Sequence, residues 1–228
     1  MTVKKCPKCG AELITVDGRR RCMNFPIRCL YQEKLSEIDP LNSEYIVFDT
    51  ETTGLNRTVD KIIELAAIRV KDGKIVDRYD EFIYPGTTVK ANITQLTGIT
   101  NNMLLGQPEE NTRIPEFVQF LEKESYEFVV AHNGNFDFEM LKAACRRIGV
   151  PMPMRVLVDT IKVAKAVLPK GAPGSPVDYK QVTLAQHYGI KYSAHRAIND
   201  VEALNSVYRN LCKDAEKNGV NVMDYREF

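Results

Sequence analysis

The chain has 228 residues, 44 % of them apolar and 27 % charged, a balance that excludes disordered, collagenous and disulfide-dense classes. It is long enough to bury a large core without covalent staples. No run of about 18 apolar residues exists to span a bilayer, and Met1-Thr2-Val3-Lys4-Lys5-Cys6-Pro7 lacks the apolar segment of a secretory signal, so a cytoplasmic location is expected. The net charge of +1 is unevenly placed: residues 1–34 carry +5 and the rest of the chain −4. A basic head on a mildly acidic body suits a polyanionic partner, a solubilising face being the plain alternative.

Four of the six cysteines lie in the first 30 residues. Cys6-Pro7-Lys8-Cys9 is a C-x₂-C turn able to aim two thiolates at one cation, and Cys22 and Cys29 supply a second, wider pair. Between them, Leu13 to Cys22 reads as a hairpin around Asp17-Gly18. Two cysteine pairs around a hairpin resemble a zinc ribbon. Residues 1–34 cannot build a sufficient core alone, so one structural Zn²⁺ on Cys6, Cys9, Cys22 and Cys29 is expected, with a flexible reduced tail as the alternative. Residues 35–43, polar and broken by Pro40, read as a linker to a body over 44–228. Cys145 and Cys212 fall on apolar helix faces and read as core.

In the body, Tyr45 to Asp49 is β-branched and aromatic, apolar on both faces, and so reads as a central strand. Ile62 to Val70 and Ile75 to Tyr84 read as two further strands, with Lys71-Asp72-Gly73-Lys74 as their turn. A region of turn and short helical signals runs on through Pro115 to Leu121. Phe128 to His132 is a fourth strand. Phe136, Met140, Leu141, Ala144, Cys145 and Ile148 then recur at helical spacing up to Gly149. Val156 to Asp159 is a short fifth strand that leads into a helix from Thr160. Pro169 to Pro176 is a loop, Thr183 to Tyr188 a short helix stopped by Gly189, and Ile198 onward a long amphipathic helix. A meander followed by alternating helices and strands implies a mixed α/β sheet of five strands flanked by helices.

Three acidic clusters punctuate these elements. Asp49 and Glu51, two residues apart on a strand, point to one face at its C-terminal end. Paired carboxylates there are costly unless a cation neutralises them, and ligands bind at that end of open α/β sheets. Asp137 opens the helix after the fourth strand, where a plain helix cap is the alternative. Asp200 follows in His195-Arg196-Ala197-Ile198-Asn199-Asp200. Five helical residues turn by about 500°, so His195 and Asp200 can serve one site only if His195 lies on the loop before the helix. A loop histidine could deprotonate water near neutral pH.

The order and spacing of Phe48-Asp49-Thr50-Glu51-Thr52-Thr53-Gly54, His132-Asn133-Gly134-Asn135-Phe136-Asp137 and His195-Arg196-Ala197-Ile198-Asn199-Asp200 resemble the DEDDh exonucleases of the ribonuclease H-like fold. The segments Ile63 to Ile68, Leu96-Thr97-Gly98-Ile99-Thr100 and Val158-Asp159-Thr160 also resemble that family, so the likeness covers about 44–212. It is nearest to the proofreading exonucleases of bacterial replicative DNA polymerases. The cysteine-rich head is foreign to the usual pattern. The resemblance implies that Asp49, Glu51, Asp137 and Asp200 hold two Mg²⁺ or Mn²⁺ ions and that His195 is the general base. It also implies that backbone at Thr50 and Thr52 grips the terminal nucleotide, with Leu96, Asn133 and Phe136 as further substrate contacts.

The expected function is therefore metal-dependent 3′→5′ hydrolysis of DNA to nucleoside monophosphates in proofreading or repair. Single-stranded DNA with a free 3′ end is the favoured substrate and a DNA polymerase the expected partner. Ribonuclease T and oligoribonuclease share the acids, so exonucleolysis of RNA ends is the alternative. A non-catalytic nucleic-acid-binding adaptor built on the zinc head is the alternative of a different class.

Overall fold

The structure is a computed structural model that describes residues 5–6, 8–16, 19–24, 32–34, 38–153, 156–191 and 196–227. Near the N-terminus, β1 (Leu13–Val16) pairs antiparallel with β2 (Arg19–Cys22), as the hairpin reading requires. A further strand, β3 (Gln32–Lys34), pairs with β2 and makes this a three-stranded sheet. Residues 17 and 18, the expected turn, lie outside the described residues.

Residues 38–43 form a turn against the body. Asp39 Oδ1 accepts from the backbone of Leu41 at 2.9 Å, and the Pro40 and Leu41 carbonyls accept from Tyr208 and Arg209 of the last helix at 3.2 and 3.1 Å.

The second sheet is built on β4 (Tyr45–Thr52), whose first four residues are buried on both faces. It pairs antiparallel with β5 (Ile62–Lys71), which pairs antiparallel with β6 (Lys74–Phe82) through the expected Asp72-Gly73 turn. On its other side β4 runs parallel to β7 (Phe128–Ala131), and β7 parallel to β8 (Leu157–Asp159). The sheet has one strand more than the five expected: β9 (Arg226–Glu227) adds antiparallel to β8, giving the order β6-β5-β4-β7-β8-β9. Two residues carry no periodicity, so the sequence offered no signal for it.

The region left mixed by the sequence holds three helices: α1 (Ala91–Thr97), α2 (Asn101–Leu104) and α3 (Glu110–Glu122). After β7 comes α4 (Gly134–Ile148), closed by Gly149 at φ 73°. Then follow α5 (Thr160–Val167), α6 (Gln181–His187) and the 21-residue α7 (Ala197–Lys217).

Strand alternation divides the core. Tyr45 and Val47 face α5, α6 and α7, with Val163, Leu184, Val201, Leu204 and Tyr208 fully buried among them. Ile46 and Phe48 face α3 and α4, against Phe117, Met140 and Leu141. Each such side chain contributes roughly 1.5–3 kcal/mol by leaving water. Cys145 and Cys212 are buried in these two layers, as expected. This alternation places the site: the odd positions of β4 look toward α7 and the even ones toward α4.

Candidate active site

Asp49 and Glu51 continue the odd face of β4 beyond the apolar residues, where the strand leaves the core and both are partly exposed. The chain then turns away at Gly54. A Cβ on Gly54 would stand 2.5 Å from Asp60 Oδ2. Asp60 needs that space, because it ties the loop together by accepting from Thr53 Oγ1 at 3.1 Å and from the Asn56 backbone at 2.7 Å.

From the opposite side α7 brings Asp200 in its first turn. Carboxylate oxygens of Asp49, Glu51 and Asp200 lie within 4.8 Å of one another. Asp200 is fixed from α6: Gln181 Nε2 donates to its Oδ1 and to its backbone oxygen, both at 3.0 Å.

Asp137, buried in the first turn of α4, arrives on the even face. Its Oδ1 accepts from the Thr50 hydroxyl at 2.6 Å and the Thr50 backbone at 3.1 Å. It is therefore bonded to β4 from the first turn of α4. The turn before it is tight. Asn133 sits at φ 56° with its backbone donating to Asp159 Oδ1 at 3.1 Å, and a Cβ on Gly134 would stand 2.7 Å from that of Ala131.

The electrostatics follow from this crowding. Burial first, then the charges of Asp137, Glu51, Asp200 and Glu64, hold Asp49 well above the usual carboxylate range. Burial, then Asp200, Glu64 and Asp137, push Glu51 up to about 8. Burial pushes Asp137 up to about 7 despite the Thr50 hydrogen bonds that favour its charged form. Two ionised carboxylates about 4–5 Å apart repel by roughly 3–4 kcal/mol at an effective dielectric of 20. A hydrogen bond to a charged group returns about 1.5–3 kcal/mol. Hydrogen bonds alone do not offset the summed repulsion, so either protons or a cation must neutralise part of the cluster. An all-oxygen donor set suits the hard cations Mg²⁺ and Mn²⁺.

This has a measurable consequence. Carboxyls bind protons more tightly folded than unfolded when their folded pKa lies above the unfolded value near 4. Their stabilisation is full below about pH 4 and is lost as pH rises through the folded values of about 7 and 8. The metal-free protein should therefore melt at lower temperature at pH 8 than at pH 6.5. Millimolar Mg²⁺ or Mn²⁺ should remove most of that slope by binding the ionised, folded form. His132 works weakly the other way: burial lowers its pKa to about 4, so its small stability cost fades as pH rises past the unfolded imidazole value of about 6.5, and a loss of stability toward pH 8 must come from the carboxyls. Parallel melting curves with chelator and with metal would contradict the cation reading.

The five residues expected to contact substrate, Thr50, Thr52, Leu96, Asn133 and Phe136, stand in different states. Thr50 and Thr52 are buried, Thr52 with its hydroxyl donating to the Gly54 carbonyl at 2.7 Å. Leu96 is 58 % exposed on α1, so it is not core. Asn133 is exposed, and Phe136 is partly buried against the α3/α4 layer. His195 and Cys29 lie outside the described residues, and α7 begins two residues after His195.

Two residues of the site escaped the sequence reading. Gln181 carried no signal, being one polar residue at a helix start. Glu64 carried one: it is the single acid in the apolar run of β5, buried at 0 % exposure opposite Glu51. Its partners are Arg196 and the Ala197 backbone.

In the head, thiols of Cys6, Cys9 and Cys22 lie within 4.8 Å of one another, with Cys9 and Cys22 sulfurs 3.4 Å apart. The Asn24 backbone donates to Cys22 Sγ at 3.4 Å. Two sulfurs on one tetrahedral zinc stand about 3.8 Å apart, so the three thiols fit such an ion.

An exonuclease family profile matches residues 46–208. The chain is 36 % identical over 186 residues to a PolC-type DNA polymerase III of Halalkalibacterium halodurans, a match covering 81 % of this chain and 12 % of that protein. It thus spans about an eighth of the length of such relatives. Among solved structures, exonuclease X bound to 5′-overhanging duplex DNA matches at TM-score 0.57 and 23 % identity, covering 79 % of this chain and 98 % of that one. Exonuclease I of E. coli bound to a dT13 oligonucleotide matches at TM-score 0.67 and 18 % identity, covering 78 % and 43 %. At those identities the likeness is one of fold.

Proposed function

The chain belongs to the exonuclease family, and from that premise we propose that it removes nucleotides one at a time from the 3′ end of a DNA strand. The observation that carries the reading is the convergence of Asp49, Glu51 and Asp200 within 4.8 Å, with Asp137 locked to the adjacent backbone of Thr50. Asp49, Glu51, Asp137 and Asp200 would hold two Mg²⁺ or Mn²⁺ ions. When bound, such a pair neutralises the phosphodiester and eases both attack of water and departure of the 3′ oxygen. The residues do the rest. Thr50 fixes Asp137, Gln181 fixes Asp200, and His195 takes the proton of the attacking water. By the family resemblance, backbone from Thr50 to Thr52 would grip the terminal nucleotide.

DNA is favoured over RNA because relatives are named as DNA polymerases and two of the similar exonuclease structures are of complexes with a DNA duplex and with a dT13 oligonucleotide. The same similarity supports a role in proofreading or repair with a polymerase as partner. We further assign the first 34 residues to a zinc-held module on Cys6, Cys9, Cys22 and Cys29, joined to the catalytic body from residue 44. Its +5 charge suits contact with the strand.

The discriminating experiment uses matched single-stranded DNA and RNA 20-mers with the purified chain and Mn²⁺. Faster release of deoxynucleoside monophosphates, by about tenfold or more in kcat/KM, is expected, since a site that excludes the 2′-OH loses roughly 1.4 kcal/mol or more on RNA. Preference for the RNA strand would place the chain with the ribonucleases of the same family.

A further inference from the structure

Glu64 is a fifth carboxylate beside the four acids, and both its oxygens are already committed. Oε1 accepts from Arg196 Nε and Nη2, each at 3.0 Å, and Oε2 accepts from the Ala197 backbone at 3.1 Å. Arg196 is held on another side by Phe82, whose ring centroid lies 5.1 Å from the guanidinium carbon. A carboxylate at 0 % exposure on β5 is tolerated because a guanidinium and the N-terminus of a 21-residue helix neutralise it. The anchored atoms belong to the residue before α7 and the first residue within it. They stand between His195 and Asp200 in the chain. The start of a helix fixes the direction of everything on its first turn, and a slip of one residue rotates a side chain by about 100°.

We propose that Glu64 is a positioning residue: by holding Arg196 and the Ala197 amide it sets where α7 begins, and so aims Asp200 at Asp49 and Glu51. This rests on the exonuclease reading above. Glu64 touches neither substrate nor reacting atoms and acts through α7. Three of its roughly four lone-pair positions are already taken by Arg196 and Ala197, which leaves it a poorer cation ligand than the four acids.

The test uses the full chain and the variants Glu64→Gln, Glu64→Asp and Arg196→Ala. Three quantities are measured: amide hydrogen exchange at residues 197–200, the Mn²⁺ midpoint for activity, and kcat and KM on a 5′-labelled DNA strand. Glu64→Gln should speed exchange at Ala197 at least about tenfold, because the amide loses its charged acceptor. It should lower kcat by about 30-fold or more while KM stays within about threefold, as expected when positioning rather than binding is lost. Glu64→Asp, which keeps the charge on a shorter arm, should recover part of kcat. Arg196→Ala, at a partly exposed position, should reproduce the loss and serves if Glu64→Gln does not fold. Faster exchange with kcat within twofold of wild type would reduce the contact to a structural one and overturn the proposal. Unchanged exchange would refute the contact itself. A wild-type chain that protects Ala197 through Glu64 yet releases no nucleotide would overturn the exonuclease reading and leave the clasp standing.

Discussion

Replacing Asp49 by Ala should abolish nucleotide release and at the same time raise the melting temperature of the metal-free protein at pH 8. The two effects share one cause. Asp49 faces Glu51 and Asp200 across less than 4.8 Å and feels Asp137 as the strongest of the neighbouring charges. Its removal takes away a ligand central to any cation in the cluster, which should lower the rate by at least about a hundredfold. It also removes a group that must stay protonated, or repel its neighbours, whenever no cation is bound, so the metal-free fold gains. The variant should lose most of the stabilisation that Mn²⁺ gives the wild type. Ordinary damage to the fold would lower activity and melting temperature together, so the opposite signs discriminate. Activity above about a tenth of wild type would sink the two-metal reading.

His195→Ala should lower the turnover rate by about 10²–10⁴ with little change in strand affinity, the range typical for loss of a general base. In the wild type the rate should rise with pH through the imidazole range near 6.5, and that limb should vanish in the variant. The acids offer a second source of pH dependence, because Glu51 and Asp137 must lose protons as cations enter. That contribution weakens as metal concentration rises, whereas the histidine limb persists at saturating metal. Measuring kcat against pH at saturating Mn²⁺ separates them. Identical profiles for the two proteins would assign the titration to another group.

Much of this was legible in the sequence for definite reasons. Tyr45 to Asp49 announced a central strand because its apolar residues are β-branched and aromatic on both faces, and Asp49 and Glu51 had to share a face because strands alternate. The helices over α4 and α7 were readable because their apolar positions recur at helical spacing up to Gly149 and through Leu211. The region of α1 and α2 was not, because helices of seven and four residues carry too few turns to show a period. Asp137 was readable as an acid at a helix start but not as the acceptor of Thr50, a contact between residues 87 apart. Arg69 and Glu64 are charged residues in one buried strand. Each finds its partner on a different helix, Arg69 at the Phe120 carbonyl of α3 and Glu64 at the start of α7. A linear reading shows such charges as anomalies but cannot show what neutralises them.

The most direct measurement follows a single-stranded DNA labelled at its 5′ end, incubated with the chain in Mn²⁺ and, in parallel, in chelator. Stepwise hydrolysis from the 3′ end should yield a ladder of labelled strands shortening by one nucleotide at a time, with no change in chelator. Early release of the label as a mononucleotide, cutting of a closed circular strand, or an undiminished ladder in chelator would contradict a metal-dependent 3′→5′ exonuclease.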